Sequence, residues 1–202
     1  MSPFIKIASY LFHPIWMPLA GTVYYFILTP RYIPAPYIKA KILAISIITV
    51  FLPVVLLFFM KTIGLISSIK LPITKERKLP LLLFLILTIL AMRIIVTPEN
   101  YMELYLFFGG IFLSGVIAFI GVLLKMKISL HTIGISGIAT FIAALSIHFA
   151  INLNATLAFL VFCIGWTASA RLQAKAHTLT EISLGLLSGV IPQLVLWSLW
   201  LK

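Results

Sequence analysis

Acidic residues are almost absent from this chain of 202 residues. Aspartate is missing altogether, and fifteen lysines and arginines face only four glutamates, at positions 76, 99, 103 and 181. Charged residues of both signs make up 9% of the sequence, whereas 62% of it is hydrophobic. A soluble domain depends on charged side chains to face water, so this composition excludes a soluble globular protein.

Cysteine is nearly absent as well. The single residue, Cys163, lies within an apolar run, so the chain has no disulfide framework and indicates nothing about the redox compartment. The N-terminal apolar run continues past a plausible cleavage site. We therefore do not expect a cleavable signal peptide.

Most of the sequence consists of long apolar runs. Runs of about 20 apolar residues are long enough to cross a bilayer as helices. We predict an all-α, polytopic transmembrane bundle of six to seven spans, which forms a single domain over residues 1–202. The predicted spans are residues 4–29, 42–60, 80–97, 104–124, 133–152, 155–170 and 182–201.

The basic residues lie mainly in the loops between these spans. A net charge of +11 would suit nucleic acid in a soluble protein. In loops at a membrane surface, the expected partners are instead the lipid bilayer and its phosphates, and no nucleic acid is expected.

Three polar junctions, at residues 61–80, 125–132 and 171–181, separate the predicted spans. Two crossings lie between the first junction and the second, and two more lead to the third. All three junctions therefore face the same side of the membrane, as a single site built from them requires.

The first two junctions contain residues that suit an anion. Lys70 and Arg77 are seven residues apart, which places them two helical turns apart on one helix face. Ser129 and His131 directly precede an apolar helix. The start of such a helix offers unpaired N–H groups and the positive end of a dipole.

The third junction combines a cation, an imidazole and a carboxylate. His177 and Glu181 are one turn apart if the stretch is helical, so the carboxylate can hold the ring. Arg171, six residues before His177, suits a short non-helical break. This combination is typical of phosphoryl or acyl transfer. A charged loop end with an interfacial histidine is the alternative for this stretch taken alone.

Together these motifs resemble those of the type-2 phosphatidic acid phosphatase superfamily, which includes lipid phosphatases and vanadium haloperoxidases. That family carries Lys-x6-Arg-Pro, then Pro-Ser-Gly-His, then Ser-Arg-x5-His-x3-Asp. This chain has Lys70-x6-Arg77, Ile128-Ser129-Leu130-His131 and Ala170-Arg171-x5-His177-x3-Glu181. The order and the internal spacings match, and the phosphatase-like core would cover about residues 61–201.

The chain also departs from the family pattern at several positions. Lys78 and Ile128 stand where the family has proline, and Glu181 replaces aspartate. Leu130 stands in place of a glycine, where a side chain can crowd a backbone that approaches phosphate. Ala170 replaces a serine and removes one hydroxyl donor.

The resemblance implies a phosphatase that uses no metal and no cofactor. By analogy, His177 attacks phosphorus and becomes a phosphohistidine, while Glu181 holds its ring. His131 would protonate the departing group and then activate water. The residues that would bind the non-bridging oxygens are Lys70, Arg77, Ser129 and Arg171.

The implied substrate is a phosphorylated membrane lipid, either a phosphomonoester or a diphosphate. Two other hypotheses stay open. One is a catalytically impaired relative that binds phosphorylated lipids or helps to transport them. The other is an unrelated transporter or pore with an anion site. The lipid and the oligomeric state are not readable from the sequence.

Two arguments about orientation point in opposite directions. Ten of the fifteen lysines and arginines fall on the side of the three junctions, and the positive-inside rule would make that side cytoplasmic. The lipid phosphatases of the family mostly act on the extracytoplasmic face. We favour that face of the cell membrane.

Two histidines lie outside the motifs. His13 precedes Pro14, and we expect its ring to bond a carbonyl that a neighbouring proline leaves free. His148 is one crossing away from the three junctions, so we expect it to be structural or interfacial.

Overall fold

The structure is a computed structural model, and it describes residues 3–200, except for the side chains of residues 3, 4 and 6. In this range the regular structure is helical throughout, which confirms the predicted all-α bundle. The α-helices are α1 (Pro3–Leu11), α2 (Met17–Leu28), α3 (Ala35–Ser46), α4 (Leu52–Thr62), α5 (Lys78–Ile94), α6 (Pro98–Leu123), α7 (Leu130–His148), α8 (Asn154–Gln173) and α9 (Leu179–Trp197).

Six helical segments of the described range are long and apolar enough to cross a membrane. They are Ile7–Leu28, Ala35–Thr62, Pro98–Leu123, Leu130–His148, Asn154–Gln173 and Leu179–Trp197. Helices of this kind satisfy their own backbone hydrogen bonds within hydrocarbon. The chain is therefore a multi-pass membrane protein.

The shorter helix α5 is not one of these six segments, but it also extends through the bundle. Its 17 residues extend about 25 Å at the usual rise per residue. At one end, Arg77 donates to the Ile128 carbonyl beside the start of α7, at 3.5 Å. At the other end, the Ile95 carbonyl accepts a hydrogen bond from Lys41 of α3. Helix α5 thus extends between the two ends of the bundle, alongside the six membrane-length segments of the described range.

The predicted span 4–29 is interrupted. Helix α1 stops at Leu11, a short 3-10 turn covers Pro14–Trp16, and α2 begins at Met17. The break lies at His13, whose backbone is extended at φ −67° and ψ 133° because a residue before proline is disfavoured in the helical region. Helix α1 packs against α8 instead of continuing α2, and Phe12 contacts Trp166 edge-on with ring centroids 5.9 Å apart.

Two other spans begin earlier than the apolar pattern predicted. The second starts at Ala35 and runs to Thr62 through a π-helical turn at Ile47–Phe51. That turn ends two residues before Pro53, whose ring would clash with a carbonyl in a regular α-helix. Helix α6 begins at Pro98 and includes the segment predicted as a loop, with a kink at Tyr101.

Helices α7 and α9 pack closely through small residues. A methyl group added at Gly185 would overlap Thr132, and one added at Gly189 would overlap Ser136. The two α7 hydroxyls also donate across the interface, from Thr132 to the Ile182 carbonyl at 3.3 Å and from Ser136 to the Leu186 carbonyl at 3.2 Å. This close approach brings the start of α9 beside the start of α7.

A buried polar cluster lies at the end of the bundle away from the three junctions. Glu103 of α6 is only 2% exposed and accepts from Arg31 at 2.8 Å and from the Tyr25 hydroxyl at 3.1 Å. His148 Nε2 lies 3.2 Å from the same carboxylate. The cluster joins α2, α6, α7 and the segment between α2 and α3. His148 therefore contacts structural partners and lies far from the sequence-predicted site.

Candidate functional site

The three polar junctions meet around one cavity of about 240 Å³. The basic residues that line it are His13, Lys70, Arg77, His131, Arg171 and His177. The remaining wall is mostly apolar and includes Leu56 of α4, Phe84 of α5 and Ile111 of α6. The structure thus brings five of the seven sequence-predicted site residues to one cavity, which continues between the helices as an apolar pocket.

His177 lies immediately before α9, in contact with Glu181. The Glu181 carboxylate reaches back over the helix start, where Oε2 is 2.8 Å from His177 Nδ1 and also accepts from the Thr178 amide at 3.2 Å. Thr178 completes a capping box by accepting from the Glu181 amide at 3.3 Å. The contact that the spacing predicted is present, and it depends on the helix cap, because His177 lies before the helix and Glu181 within its first turn.

The contact with Glu181 determines which nitrogen of His177 can react. A carboxylate only accepts hydrogen bonds, so Nδ1 carries the proton and Nε2 carries the lone pair. Burial lowers the pKa of His177 below its ordinary value, Arg171 and Lys127 lower it further, and the Glu181 hydrogen bond opposes them. The ring is therefore neutral at pH 7, and its Nε2 is available as a nucleophile.

Arg77 is buried at the cavity wall, with 8% of its surface exposed. Its Nε donates to the Leu71 carbonyl at 3.0 Å, which closes the loop that carries Lys70. The predicted helix between Lys70 and Arg77 is absent, because Pro72 interrupts the segment and Leu71 has a left-handed backbone with φ 48°. Lys70 and Arg77 nevertheless reach the same cavity, through a folded loop rather than along one helix face.

Positive charge dominates this end of the molecule. Burial, followed by the charge of Arg171, lowers the pKa of Arg77, and burial followed by the charge of Arg77 lowers the pKa of Lys127. A cation that lowers the pKa of its neighbour repels that neighbour's charge, and Glu181 is the carboxylate that opposes this effect at Arg77 and at Lys127. An anion bound between them would relieve this repulsion.

Arg171, in the last turn of α8, has a donor that is not used. Its Nη1 donates to the Ser9 hydroxyl at 3.4 Å. Its Nε is buried and has no hydrogen-bond partner among the described residues. Buried donors in proteins nearly always have an acceptor, so this nitrogen is a place for an oxygen of a bound anion.

His131 lies in the first turn of α7 and is held by α1. Its Nε2 is 3.2 Å from the Ser9 carbonyl. A carbonyl only accepts, so Nε2 carries a proton and Nδ1 remains for exchange with a ligand. Ser9 therefore contacts both His131 and Arg171, through its carbonyl and its hydroxyl.

Ser129 does not line the cavity, although the sequence predicted it as a phosphate ligand. Its side chain is fully buried, and its hydroxyl accepts from the Thr132 amide at 3.5 Å as the cap of α7. Its amide donates to the Glu181 carbonyl at 3.2 Å. The Ser129 hydroxyl that was expected to bind phosphate therefore caps α7 instead. The backbone of Ser129 also connects α7 to the start of α9.

His13 is the cavity residue that the motif pattern missed. Its Nδ1 accepts from the Ile15 amide at 3.3 Å, so the ring caps the 3-10 turn and the predicted bond to a free carbonyl was wrong. Its ring meets that of His131 edge-on, with centroids 5.1 Å apart. The His-Pro pair is the signal that could have indicated a capping position in the sequence.

Among the described side chains, histidine, cysteine and glutamate form no group of three or more that could hold a metal ion. No family model matches this chain, and no curated protein or solved structure matches it. The resemblance to the phosphatidic acid phosphatases consequently depends on the three motifs themselves.

Proposed function

We propose that this protein is a membrane-embedded lipid phosphatase of the type-2 phosphatidic acid phosphatase kind. It would hydrolyse a phosphomonoester or diphosphate of a lipid through a phosphohistidine. One observation carries the proposal: His177, Arg171 and Arg77 line the same cavity, and the Glu181 carboxylate contacts Nδ1 of His177. A cavity lined by both basic and apolar residues suits a ligand that has a phosphate group and a hydrocarbon chain.

In the first step, the lone pair on His177 Nε2 forms a bond to phosphorus while the bond from phosphorus to the lipid oxygen breaks. Glu181 stabilises the charge that develops on the imidazole, through Nδ1. His131, whose Nε2 already carries a proton, takes up a second proton at Nδ1 from solvent and gives that second proton to the departing oxygen. In the second step His131 removes a proton from water, whose oxygen attacks phosphorus and releases His177.

The cations would neutralise the oxygens of the transferred group. Arg171 offers its unpaired Nε, and Arg77 and Lys70 approach from the loop before α5. Most of the catalysis in phosphoryl transfer comes from such fixed positive charge and from positioning.

The apolar wall supports a lipid as the substrate. Apolar residues of α4, α5 and α6, among them Leu56, Phe84 and Phe107, line the cavity together with the basic residues. The first carbons of an acyl or prenyl chain fit such a wall, because apolar surface is removed from water there. We propose that the site acts on the extracytoplasmic face of the cell membrane.

The test is phosphate release by the purified full chain in detergent, with EDTA present. Phosphatidic acid and a polyprenyl diphosphate serve as the two substrates. We expect wild-type protein to release phosphate, His177→Ala to lose all activity, and His131→Ala to be slower by about 100-fold or more. Brief reaction with radiolabelled substrate should leave acid-labile, alkali-stable phosphate on the wild-type chain.

His148→Gln is the matched control, because it replaces a histidine at the other end of the bundle and should keep the wild-type rate. Equal release by wild type and His177→Ala would contradict the proposal. So would the absence of release from both lipids.

A lipid-phosphate binding protein without turnover is the second candidate function. Two observations favour it: the Arg77 guanidinium donates to two backbone carbonyls, and the Ser129 hydroxyl is used in capping. Both arrangements leave fewer donors for a transition state. Orthovanadate or phospholipid binding with no phosphate release would support this candidate over the phosphatase.

A further inference from the structure

His13 lies at the basic end of the cavity but has no part in the hydrolysis proposed above. It comes from the first span, far in sequence from the three polar junctions. It lines the same cavity as His131, Arg171 and His177. Its ring centroid is 5.1 Å from that of His131, at an interplanar angle of 81°.

The local backbone determines which nitrogen of His13 faces a ligand. The residue is extended before Pro14, and its Nδ1 accepts a hydrogen bond from the Ile15 amide at 3.3 Å. An accepting Nδ1 means that the neutral ring carries its proton on Nε2. In the described part of the chain, Nε2 makes no hydrogen bond of its own.

Packing holds this histidine in position. A methyl group added at Gly134 of α7 would lie 2.7 Å from Met17 Cγ and 3.4 Å from Pro14 Cα, so α7 approaches the break between α1 and α2 closely. On the other side of the break, Ser9 binds His131 and Arg171. The break that carries His13 is thus held against α7, and the ring itself contacts the Ile15 amide and the ring of His131.

We propose that His13 is a substrate-binding residue that donates from Nε2 to a phosphate oxygen of the ligand. A neutral donor adds an oxygen contact without adding to the repulsion among the cations. The inference deepens the proposed function, since it depends on the same oxyanion site. It makes α1 and the break after it a part of the site, beside the three motif segments.

The test exploits the two nitrogens of the ring. His13→Asn keeps an acceptor close to the position of Nδ1, which preserves the cap, and removes the donor at Nε2. His13→Gln places an amide donor near the position of Nε2. Orthovanadate binding to the purified full chain is measured by calorimetry, together with the thermal midpoint of each variant.

We expect His13→Asn to keep the wild-type thermal midpoint and to bind orthovanadate about 10-fold more weakly, as the loss of one hydrogen bond to a charged group predicts. His13→Gln should recover most of that affinity. His148→Gln should bind as wild type does. Wild-type affinity in His13→Asn would overturn the proposal, and so would a loss in His13→Gln as large as that in His13→Asn.

A lipid-phosphate assay separates this proposal from the proposed hydrolysis. If wild type releases phosphate and the KM of His13→Asn is unchanged, the His13 proposal fails while the phosphatase proposal stands. If no phosphate is released but orthovanadate binding depends on His13, the hydrolysis fails and the binding role stands. If wild type does not bind orthovanadate at all, the His13 proposal is overturned.

Discussion

His177 shows how individual neighbours set the chemistry of one side chain. Burial and the nearby Arg171 disfavour its protonated form, while Glu181 favours that form through a hydrogen bond at 2.8 Å. The net pKa is below the ordinary value, so protonation is disfavoured in the folded chain. The unfolded chain then binds more protons as the pH falls below about 6.5, and stability falls with it.

The prediction at this scale concerns the titration of His177. In protein labelled with ¹³C-histidine, its ring resonance should titrate with a midpoint below 6.5, and Glu181→Gln should lower the midpoint further, because it removes the neighbour that raises the pKa. NMR spectra of detergent-solubilised protein check this, with the resonance assigned by its absence in His177→Gln. A midpoint that rises in Glu181→Gln would contradict the role given to the carboxylate.

At the scale of elements, the interface between α7 and α9 determines how far His131 lies from His177. Both residues are near the starts of these helices, and the helices approach closely at Gly185 and Gly189. Ser129 adds a backbone hydrogen bond to Glu181 at 3.2 Å at the same end. A change in the interface should therefore affect both stability and the site.

Gly189→Ala tests this interface. Its new methyl group would overlap Ser136 and lie 3.0 Å from the Gly137 amide nitrogen, so the helices must separate. We expect a loss of about 1–3 kcal/mol of stability, as in other overpacked contacts, seen as a lower thermal midpoint. Orthovanadate binding should weaken as well, because α7 carries His131.

Gly165→Ala is the matched control on α8, since an added Cβ there has nothing within 4 Å. It should leave the thermal midpoint and orthovanadate binding at or above the wild-type values. A thermal midpoint in Gly189→Ala equal to that of Gly165→Ala would show that the close approach has no effect on stability.

At the scale of the whole molecule, two polar regions lie at opposite ends of the bundle. The cavity residues collect at one end, and Glu103 with Arg31, Tyr25 and His148 lies at the other. The residues that flank the short helix α5 contact both ends, since Arg77 donates to the Ile128 carbonyl and Lys41 donates to the Ile95 carbonyl.

Cysteine labelling tests this arrangement. Cys163, the single native cysteine, is buried and should remain unlabelled, so exposed positions can be probed one at a time. A membrane-impermeant maleimide should reach Lys75→Cys and Ala174→Cys from one side of a sealed membrane, and Tyr32→Cys and Glu99→Cys from the other. We expect the first pair to react in intact cells, in keeping with an extracytoplasmic site.

Labelling of Lys75→Cys and Ala174→Cys from different sides would contradict a single site. Labelling of both only in inverted vesicles would keep the site and reverse the proposed orientation. Detergent-treated samples control for the reactivity of each cysteine.

Much of this arrangement could be predicted from the sequence. Apolar runs predict the spans, because hydrocarbon admits helices that satisfy their own backbone, and the number of crossings places Lys70, His131 and His177 on one side. The boundaries were less accurate. Helix α6 begins at Pro98, since proline suits the first position of a helix, and hydropathy does not register that preference.

The contacts of single side chains were decided by the tertiary structure. The sequence alone established the bundle, its polar junctions and the spacing of His177 to Glu181, since these follow from composition and from distance along the chain. Whether Ser129 caps a helix or binds a ligand, and whether His13 reaches the cavity, depends on which helices pack together. Ser9 lies more than a hundred positions from both His131 and Arg171 along the chain. It contacts them only because α1, α7 and α8 pack together.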